Sequence, residues 1–192
     1  MVIKKSILNS IEVKNKILND DNLLSKIEPV VSKCVDALSS GNNVWWCGNG
    51  GSAADAQHLA AELSGRFYFD REPLASEALH VNSSYVTAVA NDYSYEQIYS
   101  RYLRGCGRKG DVLFGISTSG NSKNVVNVFN VAKEKDILTV AMTGETGGKL
   151  ANIGDFLLNV PSNDTPRIQE SHILLGHIIC EMIENRMFKS ET

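Results

Sequence analysis

Between residues 3 and 38 the apolar positions Ile7, Ile11, Leu18, Leu23, Leu24, Ile27, Val31, Val35 and Leu38 recur mostly at three- or four-residue steps, with polar side chains between them. That spacing draws an apolar stripe down one face of an α-helix. It predicts two amphipathic helices divided near Asp20 and Asp21, whose short carboxylates suit a helix start. Pro29 falls inside the second pattern. Because proline has no backbone N–H, a kink or a later start is expected there. A first helix with such a stripe, lying ahead of the first strand, is expected to pack on the core or on another subunit.

After Gly41 the pattern changes to short apolar runs that end in turns, at residues 44–47, 78–81, 112–116, 138–142 and 156–160. Helical patterns follow at about residues 53–64, 84–90 with 95–103, and 124–135, and a last long helix covers about 166–187. Strands that read as continuous apolar runs are buried on both faces, and their alternation with helices predicts an α/β fold with a mostly parallel sheet. The expected architecture is a three-layer α/β/α sandwich plus N-terminal helices over residues 1–40. No internal repeat, low-complexity tract or linker interrupts the chain, so residues 1–192 read as one domain.

The totals narrow the function classes. Hydrophobic content of 43% and charged content of 21% in 192 residues fit a globular protein with a real core. A net charge of -3 with dispersed lysines and arginines lacks the basic patch of a direct nucleic-acid binder. No stretch approaches the ~20 apolar residues of a membrane span. Cys34, Cys47, Cys106 and Cys180 form no C-x-x-C pair, and the start Met-Val-Ile-Lys-Lys leads into no apolar run with a cleavage site. The expectation is a reduced, cytoplasmic protein.

In an open α/β sheet, ligands bind beyond the carboxyl ends of the strands. Two loops there carry candidate chemistry. Gly48-Asn49-Gly50-Gly51-Ser52 follows the first strand, where glycines allow close approach of a ligand and the next helix start offers free amides. Ser117-Thr118-Ser119-Gly120-Asn121-Ser122 clusters four hydroxyls before another helix, which suits a phosphate ester. Either loop alone is equally well an ordinary turn, because Gly, Ser and Asn dominate turns for conformational reasons. No G-x-x-x-x-G-K-[ST] occurs, Ala53 stands where G-x-G-x-x-G needs its third glycine, and no acidic residue ends the second strand pattern. A nucleotide site is therefore disfavoured.

Behind the first loop, His58 and Glu62 are four apart, ~40° around a helix, so they share a face. On the last helix Gln169 and His177 are eight apart, ~80° around and two turns along, and can face one cleft. His172 lies ~140° from His177 and points elsewhere. Two imidazoles, a carboxylate and an amide oxygen suit zinc or another divalent ion of borderline softness. Taken singly, His58 with Glu62 also fits a solvated helix pair, and His177 among Leu174, Leu175, Ile178 and Ile179 also fits a core histidine. His80 reads as structural, with no partner nearby.

The runs 47–58, 62–66, 90–93, 115–122 and 167–170 together resemble the phosphoheptose (sedoheptulose-7-phosphate) isomerases of the sugar-isomerase, or SIS, family, in order and over nearly the whole chain. The resemblance implies a flavodoxin-like SIS domain, a homotetramer with active sites between subunits, and one zinc ion per subunit on His58, Glu62, Gln169 and His177. It implies a small phosphosugar substrate held by Asn49, Gly50, Gly51, Ser52, Glu62, Asn91, Asp92, Ser117, Thr118, Ser119, Ser122 and Gln169. The implied reaction turns sedoheptulose 7-phosphate into D-glycero-D-manno-heptose 7-phosphate, a precursor of surface glycans.

Ketose–aldose interconversion moves a proton between adjacent carbons through an enediol, so it needs a carbon base and a proton shuttle between oxygens. Glu62 is expected in the first role and His177 in the second. A divalent metal would stabilise the developing negative charge. Glu62 as ligand and base at once is an awkward pairing, and substrate binding is expected to loosen its metal contact. Two other readings come from the same resemblance: a relative that binds the replication initiator without isomerase activity, and a sugar-phosphate sensor without the metal set. The former lacks the equivalents of Glu62 and His177, which this chain has. Asn82 stands where the family more often has aspartate, Tyr102 where glutamine is common, and Trp45-Trp46 is unusual in the first strand. On the sequence these departures put the sugar stereochemistry in question.

Overall fold

Five strands, β1 (Val44–Gly48), β2 (Ser76–Ala78), β3 (Val112–Ser117), β4 (Leu138–Thr143) and β5 (Phe156–Asn159), form one sheet ordered β2-β1-β3-β4-β5 in a computed structural model that describes residues 1–189. Every pairing is parallel, as fits the fully buried central strands β1 and β3. Among the described residues seven α-helices surround the sheet: α1 (Val2–Leu18), α2 (Asp21–Ser39), α3 (Gly51–Ser64), α4 (Ser83–Asp92), α5 (Ile98–Cys106), α6 (Lys123–Glu134) and α7 (Thr165–Phe188). One face of the sheet packs against α2, α3 and α7, the other against α4, α5 and α6. The expected three-layer α/β architecture is found. Among the described residues no helix is long and apolar enough to cross a membrane.

Alternation along β1 sends its two indoles to opposite layers. Trp46 stacks on Phe114 at 4.1 Å between ring centroids, within the α2–α3–α7 layer. Trp45 meets Tyr102 edge-on at 6.4 Å in the other layer, and Tyr102 in turn meets Tyr85 at 5.1 Å. Two of the unusual residues, Trp45 and Tyr102, are thus one coupled packing unit. Asn82, another of them, caps α4 by accepting the Tyr85 N–H at 3.0 Å, a bond an aspartate makes equally well.

Three sequence expectations shift. The second strand lies at Ser76–Ala78, earlier than the apolar run at 78–81, because β2 is an edge strand that leaves Glu77 exposed. After Ala78 the chain turns, with the Val81 N–H on the Ala78 carbonyl, and Val81 is exposed. Of the kink or later start expected at Pro29, the later start does not occur: Asp20 accepts the Leu23 N–H at 2.9 Å and α2 continues through the proline. The segment before α5 begins as a 3-10 turn, Tyr95–Gln97.

α2 buries Leu23, Ile27, Val30, Val31, Cys34 and Ala37 in the core. α1 buries only Val13 and Ile17, and leaves Val2, Ile3, Ile7, Leu8, Ile11 and Leu18 exposed. Between α3 and α7 the approach is close. A Cβ on Gly176 would stand 2.4 Å from Leu59 Cδ1, so only glycine fits there without displacement.

Candidate active site

All five strands point the same way, so their carboxyl ends and the loops that follow gather at one edge of the sheet. β1 ends in the glycine loop, where Gly50 takes a positive φ of 56° just before α3 begins. The Tyr99 hydroxyl donates to the Gly48 carbonyl from the α5 side. Asn49 and Asn124 exchange amide hydrogen bonds of 2.9 and 2.8 Å, and the Tyr95 hydroxyl donates to Asn49 Oδ1 at 3.1 Å. Because Asn124 sits in the first turn of α6, this pair pins the glycine loop to the serine loop. Neither Tyr95 nor Asn124 was visible as a site residue in the sequence, since their partners lie 46 and 75 positions away.

The serine loop is equally constrained. Ser117 and Ser122 share a hydroxyl–hydroxyl bond of 3.0 Å, and Ser119 Oγ accepts the Asn121 N–H at 3.1 Å. Gly120 adopts φ +65°, and a Cβ there would collide with the Gly147 carbonyl at 1.9 Å. Ser122 stands at the N-cap of α6 without capping it by its side chain; the Val125 N–H goes to Asn124 Oδ1 at 3.0 Å, and the Lys123 and Asn124 amides keep capacity for a ligand. Ser52 is buried and Thr118 half-buried at the same edge. Asn91 and Asp92, at the end of α4, are exposed and bonded to each other at 2.9 Å.

His58, Glu62 and His177 come together. Their ligand atoms lie within 4.8 Å of one another, drawn from α3 and α7. His58 Nε2 stands 2.9 Å from Glu62 Oε1 and 3.1 Å from His177 Nε2. Phe67 stacks beside His177, with ring centroids 5.6 Å apart and planes at 28°. Burial, then the neighbouring His58, push the His177 imidazole below its ordinary pKa, against the pull of Glu62. Gln169 sits at the glycine loop: a Cβ on Gly51 would be 2.7 Å from its Nε2. Gly51 precedes His58 by seven residues, ~10 Å along α3, and no hydrogen bond joins Gln169 to the three clustered side chains.

Two other histidines are accounted for. His172 points into the sheet layer, fully buried, with Nε2 3.0 Å from the Thr143 carbonyl, and burial lowers its pKa to about 4 despite that bond. His80, expected to lack a partner, has one: its Nε2 meets the Ala53 carbonyl at 3.1 Å and so braces the first turn of α3. Asp55 escaped the sequence reading, although it precedes His58 by three and shares its face. Burial raises its carboxyl pKa against the pull of His58, and Oδ2 is buried without a partner.

The trio suits a divalent metal. His58 Nε2 faces both an imidazole nitrogen and a carboxylate oxygen, and one N–H cannot serve both well. Imidazole nitrogens sharing a tetrahedral zinc at ~2.0–2.1 Å stand roughly 3.3 Å apart, close to the separation found here. A nearby carboxyl with a buried free oxygen adds negative charge or a hydrogen-bond acceptor behind the ligands.

Comparison with known proteins agrees with the geometry. A family model described as an SIS domain matches residues 11–144. The phosphoheptose isomerase of Aneurinibacillus thermoaerophilus is 51% identical over 189 residues, covering 98% of this chain and 96% of the relative. That of Sulfurimonas denitrificans is 53% identical over 186 residues, covering 97% and 95%. The solved structure of the phosphoheptose isomerase from Neisseria gonorrhoeae superposes with a TM-score of 0.90 at 41% identity, covering 95% of this chain and 97% of that one.

Proposed function

We propose, because this chain belongs to the SIS-domain family and within it to the phosphoheptose isomerases, that it converts sedoheptulose 7-phosphate to D-glycero-D-manno-heptose 7-phosphate through an enediol. The enzyme class, aldose–ketose isomerase, follows from that membership. The observation that carries the mechanistic reading is the convergence of His58, Glu62 and His177 from two helices beside two loops suited to a phosphosugar.

In this reading the phosphate rests on the Ser117, Thr118, Ser119 and Ser122 hydroxyls and the first amides of α6, where the helix start favours an anion. Asn49, Gly50, Gly51 and Ser52 line the sugar chain, with Asn91 and Asp92 from α4 and Gln169 from α7 against its hydroxyls. Glu62 removes the proton from the carbon next to the carbonyl and returns it to the other carbon. His177, kept neutral by its surroundings, passes a proton between the two oxygens. A zinc ion bound by His58, Glu62 and His177, joined by Gln169 when its amide turns from the glycine loop toward them, would supply Lewis-acid stabilisation of the negative charge that develops on those oxygens. The exposed apolar stripe of α1 supports assembly as a homotetramer, in which neighbouring subunits complete each site. We place the reaction in the cytoplasm, where a free cysteine set stays reduced.

The direct test is to incubate the protein with sedoheptulose 7-phosphate and follow the anomeric region by NMR. Aldose phosphate is expected to accumulate to an equilibrium mixture. An unchanged ketose spectrum would instead favour a sensor or an initiator-binding paralogue. A strong chelator is expected to remove most of the activity and added Zn2+ to restore it. A metal-stripped preparation that turns over at the untreated rate rules out a catalytic metal.

A further inference from the structure

Beyond Glu62 the chain ends α3 and folds back over residues 65–72, and one buried ion pair organises that return. Glu184, on α7, accepts the backbone N–H groups of Phe67 at 3.0 Å, Tyr68 at 2.7 Å and Phe69 at 3.2 Å, together with Arg71 Nε at 2.8 Å. Arg71 directs its other donors to the end of α3 and to the returning segment. Nη2 reaches the Glu62 carbonyl at 2.8 Å, and Nη1 the carbonyls of Leu63 at 2.8 Å, Gly65 at 3.2 Å and Glu72 at 3.0 Å. The two side chains are 2% and 1% exposed.

Stability alone is a weak reason for such a pair. Taking both charges out of water is costly, and apolar residues of the same volume often replace a buried pair with no loss. The hydrogen bonds here do something apolar residues cannot do. The guanidinium satisfies the last carbonyls of α3, which have no helical donors, at the end where a cation is favoured. One of those carbonyls belongs to Glu62 itself. On the other side, Glu184 follows His177 by seven residues, two turns along the same face of α7. The strand of backbone it holds presents Phe67 to the His177 ring. Burial raises the Glu184 carboxyl, but the amides of Tyr68 and Phe67, Arg71 and the amide of Phe69 together outweigh it and hold the group ionised.

We infer that Arg71 and Glu184 are positioning residues, a buried link from α3 to α7 that sets how Glu62 and His177 face each other. The inference rests on the reading of His58, Glu62 and His177 as the reactive group. Neither Arg71 nor Glu184 is placed against the substrate. Their effect is transmitted through the Glu62 backbone on one side and the Phe67 ring on the other.

The test uses the full-length protein with Glu184→Gln, which keeps shape and loses charge, and Arg71→Lys, which keeps charge and loses the planar fork. Each is studied at a temperature where circular dichroism shows it folded. Two readouts are taken: Zn2+ affinity by competition with a chromogenic chelator, and the proton shift of the His177 ring, which the stacked Phe67 displaces. Both variants are expected to bind zinc ~10–100-fold more weakly, as when groups supporting a metal ligand are removed, and to lose the ring-current displacement. Variants that melt earlier yet keep wild-type zinc affinity and ring shift would overturn the inference and leave the pair a stabilising element only. Should Glu184→Gln fail to fold, Arg71→Lys decides by the same two measurements. Wild-type protein and His58→Ala run alongside. A wild type that neither binds zinc nor isomerises the heptose phosphate defeats the functional reading, while the His177 ring shift still reports whether the pair positions the cluster.

Discussion

Glutamine in place of Glu62 is expected to slow isomerisation of sedoheptulose 7-phosphate by roughly 10²–10⁴-fold, the usual loss when a general base is removed. The substitution keeps size and leaves an amide oxygen to face His58, so the α3–α7 contact survives. What goes is basicity at the one carboxylate in the cluster. Because glutamine fills the same space as Glu62, whose side chain is 21% exposed at the cleft, the melting temperature is expected to stay near wild type. A second measurement separates the steps. In D2O the wild type is expected to wash solvent deuterium into the carbon-bound position between ketose and aldose, and Glu62→Gln is expected to lose that exchange along with turnover. His177→Ala is expected to lose turnover as well, since it deletes the proposed proton carrier and frees one side of Phe67. Either variant at full rate removes the assignment of base and shuttle.

What could be read beforehand follows from the range of the interactions. The parallel sheet was legible because β1 and β3 are buried on both faces, which writes continuous apolar runs into the chain. β2 was misplaced because an edge strand keeps one exposed side, here Glu77, and so loses that signature. The pairing of His58 with Glu62 is legible from helical geometry alone, whereas the convergence of His177 on them is implied in the sequence only by the family resemblance and is carried physically by the packing of α3 on α7. The link from Arg71 to Glu184 spans 113 positions and leaves no periodic trace. Likewise Trp45 and Tyr102 each looked like a separate oddity bearing on the sugar. In the fold they explain each other, as two rings of one aromatic group in the layer opposite α3 and α7. Local patterns therefore predicted elements and shared faces, whereas the bonds that aim the site are long-range.

The same reasoning makes Gly176 a sensitive position. It lies next to His177, and a methyl there would stand 2.4 Å from Cδ1 and 2.6 Å from Cδ2 of Leu59, the residue after His58. Leu59 is fully buried, so it cannot swing into solvent; either it leaves its rotamer or α7 steps back from α3. Two effects on stability oppose each other in Gly176→Ala: the gain of ~1 kcal/mol in helix propensity against ~1–3 kcal/mol for overpacking. The melting temperature is therefore expected to change little or fall modestly. Catalysis has no such compensation. A shift of about 1 Å in the spacing of reacting groups can cost ~10²-fold, so kcat is expected to fall by about that factor, with a smaller change in KM because the phosphate site proposed above lies elsewhere, on the serine loop. Steady-state kinetics and a thermal melt on the same preparation check this. If kcat and the melt both match wild type, the close packing of α3 on α7 is not what holds His58, Glu62 and His177 in register.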